Sequence, residues 1–221
     1  MEYKLIRSNR KTLAIEISQN AQLIVRAPQK LSIKKVENFI NEKQNWINKK
    51  IIAIKKSLTL GEFKYTDNEK HLFLGEKYPI KLTTEQDKEL IFFQNTFYLK
   101  HPINNPKEVF MNWYLTIAKK HLINRVEFFA KIHNLNYKKI KVNKAKTRWG
   151  SCSYDNNLNF NYRLIITPEF VLDYVVIHEL AHTIHKNHSK DFWDFVAIMM
   201  PKYKNAKNWL KQYGGNILRV Y

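Results

Sequence analysis

Two histidines and a glutamate, in the order His178-Glu179-x-x-His182, are the residues of this chain best suited to chemistry. In an α-helix, residues four apart share one face and are separated by about 6 Å along the axis, so both imidazoles could reach one metal ion. Glu179 lies one position further round, where its carboxylate could accept a proton from the attacking water. The pattern is typical of a metal-dependent hydrolase, and zinc is the expected ion.

A catalytic zinc usually has three protein ligands and one open position, so a third ligand is needed. On a continuous helix, His185 would lie about 10 Å along the axis from His178, too far to share an ion. His188 can bind if the helix breaks near Lys186-Asn187 and the asparagine adopts a left-handed conformation. The resulting H-E-x-x-H-x5-H spacing is that of the metzincins. We therefore predict one zinc ion per chain, bound by His178, His182 and His188.

Four ordered segments carry or surround these residues: 147–153 (TRWGSCS), 159–164 (NFNYRL), 174–182 (YVVIHELAH) and 187–193 (NHSKDFW). Together they resemble the YgjP-like metal-dependent hydrolases, relatives of the SprT-like and WLM zinc peptidases. Near the N-terminus, 7–12 (RSNRKT) and 26–28 (RAP) match the same family in kind and order. The resemblance therefore covers nearly the whole chain.

The resemblance implies a zinc ion held by the residues at His178, His182 and His188, with Glu179 as general base. It does not settle the substrate. Position in the sequence and in the family motifs indicates several substrate-binding or charge-stabilising candidates, namely Arg148, Tyr162, Arg163 and His185. At the first turn of the chain, Arg7 and Arg10 could form an anion-binding tip or an ordinary solvated turn.

The chain has a formal net charge of +19, which favours polyanionic partners such as nucleic acid, nucleotide phosphates or acidic polypeptides. Only 7 of the 38 basic residues are arginine, so a general enrichment in lysine could account for much of this charge. Hydrophobic residues make up 44% of the chain, which argues against extensive disorder. The charge alone therefore does not identify a partner.

The sequence contains no apolar run long enough for a membrane span, and its first residues lack the apolar core of a signal peptide. We therefore expect a cytoplasmic protein with no membrane partner. The lone Cys152 fits a reducing compartment, and we expect it to be a buried structural thiol rather than a nucleophile.

Apolar periodicity predicts an α+β fold whose residues 1–100 form an N-terminal antiparallel β unit with one long helix. A meander is expected over residues 3–27, followed by an amphipathic helix over 32–57 with a lysine-rich outer face. Four further strands are expected at 71–75, 78–83, 90–93 and 96–100, with hairpin turns at Gly75-Glu76 and Gln94-Asn95.

The proline- and asparagine-rich segment 101–106 predicts a domain boundary, after which residues 101–221 would form a zincin-like metallopeptidase domain. Its expected elements are a helix over 107–133 with His121 as a packing residue, and strands at 139–143, 148–153 and 158–161. Thr167 and Pro168 should begin the metal-binding helix, and Ser189 should cap the next. A last helix is expected to end near Gly214-Gly215.

Three functions fit these features. The first is a zinc peptidase, in which strand 158–161 could pair with an extended polypeptide as an added edge strand. The second is hydrolysis of a phosphoanhydride such as a nucleoside triphosphate, although the chain has no glycine-rich phosphate loop. Its phosphates could be held by Arg7, Arg10, Arg26, Arg148 and Arg163. The third is a nucleic-acid-associated protease, although no helix-turn-helix, zinc finger or RNA-binding aromatic motif is present.

Overall fold

A computed structural model describes residues 2–18, 21–59 and 63–220, without the side chains of 53–59, 219 and 220. Residues 19 and 20 of the predicted meander lie outside the described residues, as do the side chains of the last apolar positions of helix 32–57. The chain is a mixed α/β protein that divides at Phe63 into two compact units, called unit 1 and unit 2. This division precedes the boundary predicted after residue 100, because the strands after Phe63 pack on the helix that follows them.

Unit 1 begins with a three-stranded sheet made of β1 (Lys4–Ser8), β2 (Ala14–Ile17) and β3 (Leu23–Pro28). The strand order is β1-β3-β2, with β1 parallel and β2 antiparallel to β3. The predicted meander was therefore wrong, because β1 pairs with β3 in parallel and not with β2. The most deeply buried strand, β3, takes the central position and pairs on both sides.

Two helices cover this sheet where one long helix was predicted. Helix α1 (Ile33–Glu42) is capped by Ser32, and α2 (Gln44–Thr59) follows after a break at Lys43. Among the described residues of unit 1, the buried core members are aliphatic and come from β3 and both helices: Leu23, Val25, Ala27, Val36, Ile40 and Ile47.

Unit 2 opens with a four-stranded sheet whose strands match the predicted positions closely. They are β4 (Lys70–Phe73), β5 (Glu76–Thr83), β6 (Leu90–Phe93) and β7 (Thr96–Lys100), in the order β4-β5-β7-β6. Strands β5 and β7 run parallel, while both outer pairs are antiparallel. The predicted hairpin turn at Gln94-Asn95 is present, with both residues in the left-handed region.

The long helix α3 (Pro106–Ile132) is capped by Asn105 and packs Phe110 and Trp113 against Phe97 of the sheet. A second three-stranded sheet follows, made of β8 (Lys139–Asn143), β9 (Gly150–Cys152) and β10 (Asn157–Asn161). Its order is β8-β10-β9, with β10 parallel to β8 and antiparallel to β9.

The last part of unit 2 is helical and consists of α4 (Glu169–Ala181), α5 (Lys190–Met199), α6 (Tyr203–Trp209) and α7 (Gly215–Val220). Thr167 does not cap α4 as predicted, because its hydroxyl donates to the carbonyl oxygen of Leu164; Pro168 occupies the cap position. The chain also does not end its helices at Gly214-Gly215, since a π-helical turn leads directly into α7.

Helix α4 is apolar on nearly every side and is the buried centre of unit 2. It packs against α3, α5, α6 and β9. The guanidinium of Arg125 on α3 holds Asp173 of α4 through two hydrogen bonds of 2.6 Å. Among the described helices, none combines the length and the apolar character that crossing a bilayer requires.

Candidate metal centre

Helix α4 carries His178 and Glu179 and ends at Ala181, with His182 as its C-cap. The break therefore comes before the predicted position at Lys186-Asn187. Both the hydroxyl and the backbone N–H of Thr183 donate to the carbonyl oxygen of Leu180, at 2.7 and 2.9 Å, which tightens the last turn. Asn187 is not left-handed as predicted; its side-chain oxygen accepts a hydrogen bond from the N–H of Ser189.

The chain that leaves α4 folds back and brings His188 beside the two histidines of the helix. The Nε2 atom of His188 lies 3.1 Å from that of His178 and 3.2 Å from that of His182. The three ligand atoms lie within 4.8 Å of one another. Two nitrogens of a tetrahedral zinc ion with bonds of about 2.0–2.1 Å are roughly 3.3 Å apart. The group, called here the histidine triad, therefore fits a zinc ion.

The aromatic side chains of α5 hold the triad in place. The ring of Phe192 is fully buried and lies 4.5–5.0 Å from all three imidazole rings. The indole of Trp193 stacks on His188 at 5.6 Å. Ser189 caps α5, as predicted, by accepting a hydrogen bond from the N–H of Phe192. The direction of α5 and its first turn thus fix where His188 can lie.

The protonation states of His178 and His182 suit metal binding. Burial, with smaller contributions from His182 and His188, lowers the pKa of His178 to about 3. Burial also lowers the pKa of His182. The Nδ1–H of His182 donates to the carbonyl oxygen of His185 at 2.9 Å, which leaves the Nε2 lone pair available as a ligand. The imidazoles of His178 and His182 are therefore neutral near neutral pH and can each offer a nitrogen lone pair to a metal ion.

Glu179 is 5% exposed and lies on the face of α4 that packs against β9. Burial raises the pKa of Glu179 to about 8, while the positive charge of Arg148 acts in the opposite direction. A carboxyl group with a pKa near the working pH can both accept and return a proton.

Asn161 organises the loop that leads into β9, a role that sequence reasoning missed. Its side-chain NH2 donates to the carbonyl oxygens of Ala145 at 2.7 Å and Arg148 at 3.0 Å. Its backbone N–H donates to the carbonyl oxygen of Trp149. The side chain is 1% exposed. The available signal was an asparagine between two aromatic residues, Phe160 and Tyr162, because a buried amide must find hydrogen-bond partners.

The other predicted substrate-binding residues of unit 2 lie in different settings. Tyr162 is buried in the core, with the guanidinium of Arg163 4.7 Å from its ring centre. Burial raises the pKa of Tyr162 and lowers that of Arg163. His185 is half-buried with its ring 5.6 Å from that of Phe195. Only the carbonyl group of His185 is seen to contact the triad.

Arg7 and Arg10 belong to unit 1, where both make contacts within the unit. One guanidinium nitrogen of Arg7 donates to the carbonyl oxygens of Pro28, Gln29 and Leu31 at 2.7–3.1 Å. Arg10 donates to the hydroxyl of Thr12 at 3.3 Å. These contacts give Arg7 a structural role at the end of β3.

Two lysines near the triad were not singled out by the sequence. Lys186 donates to the carbonyl oxygen of Ser153 at 3.3 Å and to the side chain of Asn156, which ties the loop after α4 to the β9–β10 turn. The amine of Lys207 lies 3.8 Å from the ring centre of Trp193. In a lysine-rich chain, no spacing rule could have distinguished these two residues.

Three converging imidazoles, with a buried glutamate next to one of them in the chain, are the residue set typical of metal-dependent hydrolases. A model of the YgjP-like family, described as a metallopeptidase domain, matches residues 11–213 of the 221. The chain therefore belongs to the YgjP-like family, and the predicted resemblance is confirmed. Comparisons with curated proteins and with solved structures gave no match.

Proposed function

We propose that this protein is a zinc-dependent peptidase with a zincin-like site in which the histidine triad binds the metal. The observation that carries the proposal is the convergence of the three Nε2 atoms at 3.1 and 3.2 Å, with a buried glutamate following His178 in the chain. The proposal is supported by membership of a family described as a metallopeptidase domain.

In the proposed reaction, His178, His182 and His188 would hold the ion through their Nε2 atoms. The ion would supply Lewis acidity that activates water and polarises the carbonyl group of the substrate. A carboxylate oxygen of Glu179 accepts the proton of the attacking water and later returns it to the leaving amine. The Phe192 ring excludes water from one side of the imidazoles.

A polypeptide substrate would pair with β9 rather than with β10. Strand 158–161 was predicted to pair with an added polypeptide, but β10 is central, because β8 and β9 pair with it on both sides. Within the described parts of the chain, β9 pairs with β10 alone and packs against α4, which carries Glu179. An extended segment added to β9 would therefore pass close to the proposed general base.

The test is to incubate the zinc-loaded protein with unfolded polypeptides and, separately, with nucleoside triphosphates, and to measure peptide and phosphate release. The matched control is Glu179→Gln, which removes the proton-accepting carboxylate and keeps the side-chain shape. We expect this variant to bind zinc as the unchanged protein does and to lose at least about 100-fold in turnover. Undiminished turnover would remove Glu179 from the mechanism.

Hydrolysis of a phosphoanhydride is a second candidate for the same site, because positive charge surrounds it. Burial has the larger effect on the pKa values at this site, but three cations also lower them. Arg148 acts on Glu179, Lys186 on His182 and Lys207 on His178. Such charges would favour phosphate groups. Phosphate release without any peptide release in the same assay would select this candidate.

Nucleic-acid binding through the basic surface remains a prediction that depends on the net charge of +19 alone. If it occurs, its affinity should be highest at low salt, because binding releases counterions from the phosphates. Negligible affinity for duplex DNA at low ionic strength would remove this partner.

A further inference from the structure

Gly150, the first residue of β9, lies directly against the side chain of Glu179. A Cβ atom placed on Gly150 would be 2.6 Å from Oε1, 2.7 Å from Cγ and 2.9 Å from Cδ of Glu179. Carbon atoms in normal contact are about 3.5–4.0 Å apart. The carboxyl arm of Glu179 therefore occupies the space that any other residue at position 150 would need for its side chain.

The backbone conformation does not require glycine at this position. Gly150 does not have the positive φ that favours glycine, whereas Gly75 does, with φ of +88°. A residue of any type could adopt the extended conformation of β9. The reason for glycine at position 150 is therefore the space next to Glu179.

The strand cannot easily move away to make room for a larger residue. Gly150 pairs with Phe160 of the central strand, and the carbonyl oxygen of the preceding Trp149 accepts a hydrogen bond of 2.8 Å from the N–H of Asn161. The Asn161 side chain also holds the loop before β9 at Arg148. A Cβ at position 150 would therefore displace the Glu179 side chain rather than the strand.

We propose that Gly150 is a positioning residue, whose bare α-carbon fixes the side-chain conformation of Glu179. The inference rests on the proposed role of Glu179 as general base, because a group that takes part in the reaction must be held in a precise position. This role is separate from any backbone pairing of β9 with a polypeptide, because backbone pairing does not depend on the residue type at position 150. Gly150 determines which rotamer of Glu179 fits between α4 and β9.

The first test is Gly150→Ala in the zinc-loaded protein. We expect kcat to fall roughly 10- to 100-fold, since a displaced catalytic group loses rate steeply, while KM and zinc affinity stay unchanged. The matched control is Lys77→Ala, at an exposed position of β5 in the other sheet of unit 2. Full kcat in Gly150→Ala, or an equal loss in Lys77→Ala, would overturn the proposal.

The second test does not depend on activity and uses the zinc-free protein. Gly150→Ala should lower Tm by roughly 3–10 °C when Glu179 is present, because the added methyl overpacks the contact. In a Glu179→Ala background the same substitution should leave Tm unchanged or raise it, since the obstructing side chain is gone. An equal drop in both backgrounds would overturn the proposal. If the unchanged protein hydrolyses no substrate, the proposed function fails while this cycle still decides whether Gly150 positions Glu179.

Discussion

Unit 2 contains two histidines whose pKa values are lowered by burial but whose imidazoles have different surroundings. His178 belongs to the triad on α4, and His71 lies on β4 among the rings of Phe63, Tyr65 and Phe110, at centroid distances of 4.1–5.2 Å. Burial lowers the pKa of His71 to about 4, against the opposing effect of Glu69, and that of His178 to about 3. By pKa alone the two sites are nearly alike.

The difference lies in the neighbours of the ring nitrogens. Around His178, two further Nε2 atoms converge, whereas the Nε2 of His71 has a carboxylate oxygen of Glu69 3.8 Å away and aromatic rings on its faces. A lowered pKa shows that an imidazole is buried and neutral, but it does not show that it binds a metal. Convergence of several lone pairs on one point is the property that distinguishes a metal site from an aromatic cluster.

The largest expected effect is the loss of zinc affinity when one imidazole of the histidine triad is removed. His188→Ala removes one of three protein ligands and should weaken zinc binding by at least about 100-fold, while the fold survives because this imidazole is exposed. Competition titration with a zinc chelator measures the loss.

Two variants serve as controls for this loss. His185→Ala should keep the metal, since only the carbonyl group of His185 contacts the triad. His71→Phe should also keep it, because His71 belongs to the aromatic cluster. Metal lost in His185→Ala and kept in His188→Ala would show that the third ligand has been assigned to the wrong histidine.

The next effect concerns pH and stability at His71. The unfolded state takes up a proton near pH 6.5, whereas the folded state does so only near pH 4. The unfolded state therefore binds more protons between these values, and folding stability should fall by about 3 kcal/mol as the pH drops from 6.5 to 4. His71→Phe removes this contribution.

The measurement is the free energy of unfolding of both proteins in denaturant at several pH values. The difference between His71→Phe and the unchanged protein should shift in favour of the variant below pH 6.5. A difference that stays constant from pH 7 to pH 4 would mean that His71 is protonated equally well in the folded and unfolded states.

The triad could be predicted because its determinants are local. The four-residue spacing of His178 and His182 is set by helix geometry, and Ser189 marks the start of the next helix. The same holds for α3 and the strands β4–β7, whose periodicity and turn residues lie within short windows of the sequence. The end of α4 was placed too late because Thr183 and the His182–His185 hydrogen bond act through side-chain contacts that periodicity does not record.

Strand order and the contacts of Glu179 could not be predicted in this way. The parallel pairing of β1 with β3 and the central position of β10 join residues that are distant in sequence. Gly150 lies in segment 147–153, but its role depends on a contact with Glu179, almost thirty positions later in the chain. Alternation identifies a strand without stating which element packs against it.

The smallest expected effect is at His121 on α3, which was predicted to be a packing residue. Its side chain is 26% exposed on α3, and its Nε2 lies 3.5 Å from a carboxylate oxygen of Glu169. The partner is exposed, so the pair should contribute little, and His121→Gln should change the free energy of unfolding by less than about 1 kcal/mol. Zinc affinity should not change, because no second imidazole accompanies His121. A zinc loss in this variant, measured by the same chelator titration, would show that convergence in the folded chain does not suffice to separate metal ligands from other histidines.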